Sequence, residues 1–273
     1  QISKLGGKCI LLTRVSDDAL GKYTINELRK YNVNTDLIKF EKDESRISLA
    51  VVESTNKDHQ SIIYRHNASD LFMNKKDILN TNINNFSCLI FTGTALASEP
   101  SRSSTFLALE IAKKNNIPII QDIDYRPYTW KSKKIASEVY IKSLEFTDIL
   151  IGNDDEFGIL AKDYNRGLEL AESLCKEIEI VIYKKGQMGS ISFINKKKII
   201  KGVYNVKVLK PTGAGDAFLG SFIGGILNDN NLEKSLEIGS ASAAIVVTKV
   251  GCSHAMPSFE DINKFMYKNK MLN

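Results

Sequence analysis

The sequence lacks the features that mark membrane, nucleic-acid-binding and disulfide-rich proteins. No apolar run approaches the roughly 18 residues that a membrane span requires. The 37 basic and 32 acidic residues give a net charge of only +5, and no block of like charge is long enough for a nucleic-acid-binding arm. The four cysteines show neither close pairing nor metal-ligand spacing. We therefore expect a cytoplasmic protein that binds neither membranes nor nucleic acid, with reduced thiols, of which Cys9, Cys88 and Cys175 are buried.

Short apolar runs alternate with segments of helical periodicity over most of the 273 residues. Each apolar run is typical of a strand buried on both faces, and the runs lie at 9–15, 88–93, 117–124, 148–153 and 179–186. The helical segments lie at 19–31, 101–115, 133–143, 154–162, 167–177, 214–228, 232–249 and 259–268. This alternation predicts a mainly parallel sheet covered by helices, in a single α/β domain over residues 1–273.

Two segments break the alternation, because strand-like runs follow one another there without a helix between them. The runs 45–53 and 61–66 are separated by a polar turn, which predicts an antiparallel hairpin outside the main sheet. The segment 190–206 predicts a second hairpin.

Four of the predicted buried strands end in polar or glycine residues. These residues are Thr92 and Gly93, Asp122 to Arg126, Gly152 and Asn153, and Lys184 to Gly186. Ligands of such sheets bind beyond the carboxyl ends of the strands. Ordinary turn composition explains each group alone, but the four together favour a binding site at this edge.

The stretch KPTGAGDAFLGSF, residues 210–222, places three small residues directly before Asp216. It is not a Gly-x4-Gly-Lys-Ser/Thr phosphate loop. It is not a dinucleotide fingerprint either, because Phe218 stands where that motif needs its third glycine.

A small-residue turn before a helix has another use. Gly213, Ala214 and Gly215 can turn tightly and leave unpaired N–H groups at the helix start, which attracts anions. A carboxylate such as Asp216, next to a bound phosphate, can accept a proton from a hydroxyl group. The other interpretation is a glycine-rich turn that caps a core helix, and spacing alone leaves both open.

The stretch PTGAGDAFLGSF resembles the C-terminal signature of the ribokinase-like, or PfkB-type, carbohydrate kinases. Three further segments are similar to motifs of that family: NDDE (153–156), KKGQMGS (184–190) and AAIVVTKVGCSHAMPS (243–258). The resemblance extends along the whole chain. It implies a ribokinase-like three-layer sandwich with a mainly parallel central sheet and a small β lid, whose strands lie within about 45–66.

The resemblance also implies an ATP- and Mg²⁺-dependent enzyme with particular site residues. Asp216 would be the catalytic base, and the amides of Gly213, Ala214 and Gly215 would form the anion hole. The residues implied along the nucleotide are Lys184, Gly186, Gly189, Asn153 and, near the adenine, Gly251. Asn153 and Glu156 would hold the Mg²⁺–phosphate group through water.

Finer features resemble one subgroup, the 5-dehydro-2-deoxygluconokinases of inositol catabolism. They are DIDYRPYTW (122–130), YRHNASD (64–70), KPTGAGD and GCSHAMPS. The neighbouring 2-keto-3-deoxygluconate kinases share an Asp-x-Asn-x-Arg-x-x-x-Trp pattern, in which Asp124 stands here at the Asn position. The implied reaction transfers the γ-phosphate of ATP to the terminal hydroxyl group of 5-dehydro-2-deoxygluconate. Phosphorylation of 2-keto-3-deoxygluconate or of another sugar is the alternative.

A sugar-acid substrate would carry a carboxylate, which the planar guanidinium of arginine is suited to bind through two hydrogen bonds. Arg65 lies on the expected lid, and Arg126 follows a strand end. Tyr64 and Tyr125 could pack on the sugar, and Asp124 completes the expected substrate-binding set. The other interpretation is that the arginines are solvated at the surface and the tyrosines belong to half-buried strands.

The sequence departs from the family pattern in two places. The family signature begins with an Asp that helps to bind a monovalent cation, but Lys210 stands there. Because its ammonium group can take the electrostatic place of the cation, we expect little activation by K⁺. The family also has a further strand, a lid strand and a Gly-Gly-x-x-x-Asn substrate motif before LGGKCILLTRV, and the sequence contains none of these.

Two further expectations follow from the resemblance. The lids of such kinases often pair between subunits, so a homodimer through the lid is expected. The alternative of a different class is a non-catalytic nucleotide- or sugar-binding protein that keeps the fold.

Overall fold

Helices and strands alternate through most of the computed structural model, which describes residues 1–42, 44–52 and 61–272. The strands are β1 (Cys9–Ile10), β2 (Thr13–Ser16), β3 (Val33–Asn34), β4 (Ile38–Glu41), β5 (Leu49–Val52), β6 (Ser61–Tyr64), β7 (Leu89–Thr92), β8 (Ile119–Asp122), β9 (Ile149–Asn153), β10 (Ile180–Lys184), β11 (Ser190–Ile194), β12 (Lys197–Lys201), β13 (Val203–Tyr204) and β14 (Met271–Leu272). The α-helices are α1 (Ala19–Lys30), α2 (Lys75–Leu79), α3 (Ser101–Lys114), α4 (Lys133–Leu144), α5 (Asp154–Ala161), α6 (Gly167–Leu174), α7 (Ala214–Leu227), α8 (Leu232–Val247) and α9 (Phe259–Lys268).

A six-stranded sheet in the order β12-β11-β10-β9-β8-β7 forms the centre of the molecule. Strands β7 to β10 are parallel to one another, whereas β11 and β12 add an antiparallel hairpin at one edge. The mainly parallel sheet that the sequence predicted is therefore confirmed. The second predicted hairpin, 190–206, is present in this sheet as β11 and β12, but the end of its second run forms β13, which pairs with β14 instead.

The central sheet buries apolar side chains on both faces, because successive residues of a strand point to opposite sides. Ile119 and Leu150 pack in a core with α3, α4, α5 and α6. Their neighbours Ile120 and Ile151 pack in a second core with α7 and α8. The sheet is thus the middle of three layers, which confirms the predicted fold class.

The first predicted strand, 9–15, is wrong as a single doubly buried strand. It divides into β1 and β2, which belong to two separate parallel pairs, β1–β3 and β2–β4. Cys9 and Ile10 are only half-buried, and Leu11 between the two strands is exposed. The partners β3 and β4 are short, and the sequence pattern did not identify them.

The predicted antiparallel hairpin at 45–66 is present as β5 and β6, in which Leu49 pairs with Tyr64 and Val51 with Ile62. These four residues are all between 50% and 62% exposed. Residues 53–60, which include the end of the first predicted run, lie outside the described residues. We call β5 and β6 the lid hairpin.

All four cysteines are free, as expected. The expectation that Cys9, Cys88 and Cys175 are buried is wrong, because each is only partly buried. Cys9 begins a two-residue strand, Cys88 precedes β7 and Cys175 follows α6. Such end positions are covered on fewer sides than the middle of an element. Among the described residues, no helix is both long and apolar enough to cross a membrane.

Candidate active site

The carboxyl ends of the parallel strands bring polar residues to one edge of the central sheet. Thr92 at the end of β7 pairs with Asp122 at the end of β8, and Asn153 at the end of β9 pairs with Lys184 at the end of β10. The structure therefore brings together the four strand ends that the sequence singled out.

Helix α7 begins with a glycine in the left-handed conformation. Gly213 has φ +88°, and no side chain caps the first turn of the helix. A Cβ at this position would lie 3.3 Å from the sulfur of Cys252 and 3.4 Å from Val246 Cγ1. The turn is thus held against the loop that follows α8, and its backbone favours glycine both in conformation and in space.

The side chain of Lys184 reaches the start of α7. Its Nζ atom lies 3.5 Å from the position that a Cβ on Gly215 would occupy. An ammonium group and the N-terminus of a helix therefore face the same space, and both favour an anion there.

Asp216 lies in the first turn of α7, beside this positive region. Burial raises the pKa of its carboxyl group, and the negative charge of Asp124 raises it further, while Lys184 and Arg126 act in the opposite direction. A carboxylate with a raised pKa is a stronger base than an exposed one, which suits proton abstraction from a hydroxyl group.

Asn153 and Glu156 form a capping box at the start of α5. Asn153 Oδ1 accepts from the Glu156 backbone N–H at 2.9 Å, and Glu156 Oε2 accepts from the Asn153 N–H at 2.7 Å. Glu156 is only 5% exposed. The pKa of its carboxyl group is raised, because the effect of burial exceeds the opposing effect of the positive charge of Lys184.

Asp122 is a buried carboxyl group whose role the sequence did not identify. Its pKa is raised to about 7, mainly by burial. The positive charge of Lys184 lowers the pKa, and the negative charges of Glu156, Asp124 and Asp216 raise it further. Its place at the end of the apolar run IPIIQD marked it only as a strand-end residue.

Asp124 and Arg126 form an ion pair just beyond β8, with Arg126 Nη2 2.6 Å from Asp124 Oδ1. Asp124 adopts a positive φ of +40°. The Arg126 side chain is 43% exposed. Its guanidinium is thus both anchored on one side and open to solvent on another.

Arg65 has less freedom than the sequence suggested. Its Nε donates to Asp70 Oδ2 at 2.8 Å, its Nη2 donates to the same oxygen, and its Nη1 donates to the Thr94 carbonyl at 2.7 Å. Tyr64, the preceding residue, is 62% exposed on the lid hairpin and is not part of the buried cluster. Asp70 and Thr94 were not singled out, because such contacts are not visible in the sequence.

The glycines predicted along a nucleotide all have positive φ angles. Gly186 and Gly189 flank the short turn between β10 and β11, with φ +55° and +80°, and Gly251 has φ +78°. A Cβ on Gly189 would lie 2.1 Å from the Lys201 carbonyl oxygen. The Gly186 and Gly189 turn thus keeps the backbone that follows Lys184 free of side chains.

Lys210 is buried beneath the turn that precedes α7. Its side chain donates to the Thr212 carbonyl and lies 3.8 Å from the sulfur of Cys252. It is only 6% exposed. The turn before α7 thus contains a fixed positive charge. This is the place where the sequence predicted that the Lys210 ammonium group stands in for a bound monovalent cation.

Comparisons with known proteins agree with this geometry. The family model described as pfkB family carbohydrate kinase matches residues 1–258. A relative from Bacillus cereus, named 5-dehydro-2-deoxygluconokinase 2, is 34% identical over 271 residues, which are 97% of this chain and 82% of the relative. The 5-dehydro-2-deoxygluconokinase of Photobacterium profundum is 36% identical over the same shares of the two chains.

A solved structure supports the fold as well. The crystal structure of a fructokinase with bound ATP from Xylella fastidiosa matches with a TM-score of 0.86 and 18% identity, over 98% of this chain and 87% of the other. With the family model and these relatives, the phosphotransferase class implied by the resemblance is confirmed: the chain belongs to the pfkB family of carbohydrate kinases.

Proposed function

We propose that this kinase transfers the γ-phosphate of ATP to the terminal hydroxyl group of 5-dehydro-2-deoxygluconate. The observation that carries the chemistry is the meeting of Asp216, the Lys184 ammonium group and the start of α7 at one edge of the sheet. The relatives from Bacillus cereus and Photobacterium profundum, whose names state this substrate, support the choice of sugar acid.

Asp216 acts in this proposal as the general base. It accepts the proton of the sugar hydroxyl group as the oxygen attacks the γ-phosphorus of ATP. The N–H groups of Gly213, Ala214 and Gly215 stabilise the negative charge on the transferred phosphoryl group. Lys184 adds a positive charge on the same side, close to Gly215.

The nucleotide extends from this point along the β10–β11 turn. Gly186 and Gly189 leave room for the phosphates and ribose, and Gly251 lies near the adenine. The fructokinase of similar fold binds ATP, which supports a nucleotide in this family of folds.

The site fits a Mg²⁺ ion held mainly by waters and phosphate oxygens. The described residues contain no group of three or more His, Cys, Asp or Glu side chains that could hold a metal directly. The buried Glu156 carboxylate and the Asn153 amide lie at the sheet edge and would hold the ion through water, which is how Mg²⁺ is often bound. When bound, the ion would neutralise charge on the phosphates.

Arg126 is the group that we assign to the substrate carboxylate. Its charge acts on Asp216, because it lowers the pKa of the Asp216 carboxyl group. Asp124 holds one side of the guanidinium and, with Tyr125, borders the sugar.

The exposed lid hairpin supports the proposal of a homodimer. Leu49, Val51, Ile62 and Tyr64 form an apolar face on one side of β5 and β6. Covering that face with the same face of a second copy would bury it on both subunits.

A substrate panel tests the proposed reaction. ADP formation is measured with 5-dehydro-2-deoxygluconate, 2-keto-3-deoxygluconate, fructose and ribose. We expect the sugar acids to be preferred by roughly 30-fold or more in kcat/KM, because a neutral sugar forgoes the charge-assisted hydrogen bonds that Arg126 can donate to a carboxylate. Equal efficiency on fructose or ribose contradicts a sugar-acid substrate. A preference for 2-keto-3-deoxygluconate moves the assignment to the neighbouring subgroup.

Asp216→Asn serves as the catalytic control in the same assay. We expect kcat to fall by at least about 10²-fold with ATP binding retained, because only the base is lost. Near-normal turnover in this variant removes Asp216 from the mechanism. ATP binding without any turnover in the wild type supports the non-catalytic alternative.

A further inference from the structure

The guanidinium of Arg65 is held within the protein through each of its nitrogens. All three of its nitrogens donate hydrogen bonds, two of them to Asp70 and one to the Thr94 carbonyl. The side chain is only 13% exposed. A substrate carboxylate would therefore have to displace Asp70 from a largely desolvated ion pair, which is costly.

Asp70 connects both strands of the lid hairpin to the body of the protein. Its Oδ1 atom accepts from Ser48, which directly precedes β5, at 2.5 Å. Its Oδ2 atom accepts from Arg65, which directly follows β6. The neighbouring Ser69 is fully buried and lies 3.2 Å from Ser45, oxygen to oxygen. Asp70 is thus fixed at the base of the hairpin.

Thr94 continues the chain of contacts to the sheet edge. Its hydroxyl group donates to Asp124 Oδ2 at 3.2 Å and lies 2.9 Å from the Thr92 hydroxyl group. The turn is tightly packed, since a Cβ on Gly93 would lie 2.2 Å from the Ile123 carbonyl oxygen. Asp124 in turn pairs with Arg126.

Resting on the function proposed above, we propose that Arg65 and Asp70 are a positioning pair and do not bind the substrate carboxylate. They anchor the base of the lid hairpin to the Thr94 carbonyl. Thr94 then fixes Asp124, which borders the sugar whether or not that sugar carries a carboxylate. The substrate carboxylate binds Arg126, which is the more exposed of the two arginines.

Kinetics with an acidic and a neutral sugar distinguish a positioning pair from a carboxylate ligand. We compare Arg65→Gln, Asp70→Asn and their double variant with Arg126→Gln, using 5-dehydro-2-deoxygluconate and fructose. Arg65→Gln and Asp70→Asn should lower kcat/KM for both sugars by a similar factor, about tenfold, and the double variant should be no worse than either single one. Arg126→Gln should harm the acid by roughly 30-fold and fructose by less than about threefold. Arg166→Gln, which breaks an exposed pair with Glu169 on α6, is the matched control and should change neither.

Hydrogen–deuterium exchange gives a readout that needs no substrate. Arg65→Gln and Asp70→Asn should each speed exchange in peptides that cover residues 92–97, on the far side of the contact from the lid, whereas Arg166→Gln should not. If the wild type phosphorylates no sugar acid, the proposed function is contradicted. The exchange rates at residues 92–97 would still decide whether Arg65 and Asp70 hold this segment in place. The positioning role is overturned if exchange at 92–97 is unchanged, or if Arg65→Gln loses activity on the acid alone, as Arg126→Gln should.

Discussion

Single side chains at the sheet edge influence one another mainly through charge. Asp122, Glu156 and Asp216 are buried close to Asp124, while Lys184 and Arg126 provide the opposing charge. Burial and the negative charge of Asp124 raise the pKa of each of the first three carboxyl groups. The strength of Asp216 as a base is therefore set by its neighbours as well as by its own burial.

Removing the charge of Asp124 should shift the acid limb of the pH profile. The negative charge of Asp124 raises the pKa of Asp216, so Asp124→Asn should lower that pKa. Asp216 would then stay deprotonated at lower pH, and the acid limb of kcat/KM should move to lower pH. The measurement is kcat/KM for the preferred sugar from pH 4 to 9.

The exposed Asp36 offers a matched change of charge, because Asp36→Asn removes one carboxylate from a loop that precedes β4. This control should leave the limb in place. A limb that moves upward in Asp124→Asn, or moves equally in both variants, would contradict the coupling of Asp124 to Asp216.

At this scale the sequence predicted residue types better than contacts. Asp216, Lys184 and Arg126 follow recognisable turns, and the structure brings all three to one edge. The pairing of Arg65 with Asp70 could not be predicted, because both lie in one polar stretch in which several partners were available. The raised pKa of Asp122 depends on burial that only the folded sheet provides.

At the scale of elements, the turn that starts α7 combines a left-handed glycine with close packing. Gly213→Ala should destabilise the protein by roughly 1 kcal/mol, because a Cβ is unfavourable at φ +88°. The melting temperature should fall by about 2–4 °C. The added methyl group would also press on Cys252, at 3.3 Å, and shift the amides of the anion hole. We therefore expect kcat/KM to fall by about tenfold or more.

Gly6→Ala separates the two effects of that substitution. Gly6 has nearly the same angle, φ +87°, but nothing lies within 4 Å of its Cβ position. The control should lose similar stability and keep its activity. If both variants keep full activity, the Gly213 turn does not position the reacting phosphate.

The same turn encloses Lys210, whose ammonium group donates to the Thr212 carbonyl. A buried, fixed cation removes the need for a bound one, so we expect kcat/KM to change by less than about twofold when K⁺ replaces Na⁺ or tetramethylammonium at equal ionic strength. Strong, saturable activation by K⁺ would show that another group supplies a cation site.

Long periodic elements were predicted well, and short ones were not. The helix predicted at 259–268 has the same first and last residues as α9. Ser258 and Asp261, which form its capping box, mark the start of the helix in the sequence. Helix α2 and strands β3, β13 and β14 have five residues or fewer. Such lengths are too short to show a period, and these elements depend on tertiary partners such as the β13–β14 pairing of distant segments.

At the scale of the whole molecule, the three layers could be predicted from the sequence, but the small two-stranded sheets could not. The three layers follow from the two-residue alternation of side chains such as Ile119 and Ile120, which segregate into separate cores. The small sheets β1–β3 and β2–β4 could not be predicted in this way, because their pairing depends on short strands with little apolar signal.

The lid hairpin leads to a prediction about assembly. If its exposed apolar face pairs with the same face of a second copy, Val51→Glu should produce monomers. A two-fold interface places the same position on both subunits, so the substitution would introduce two negative charges into an apolar contact.

Ile200→Glu on β12 is the matched control, because Ile200 is also an exposed strand residue, at 68% against 52% for Val51. Light scattering after gel filtration should give a dimer mass for the wild type and for Ile200→Glu, and a monomer mass for Val51→Glu. A wild-type protein that is monomeric at high concentration, or a Val51→Glu variant that stays dimeric, would show that the lid face is not the contact between subunits.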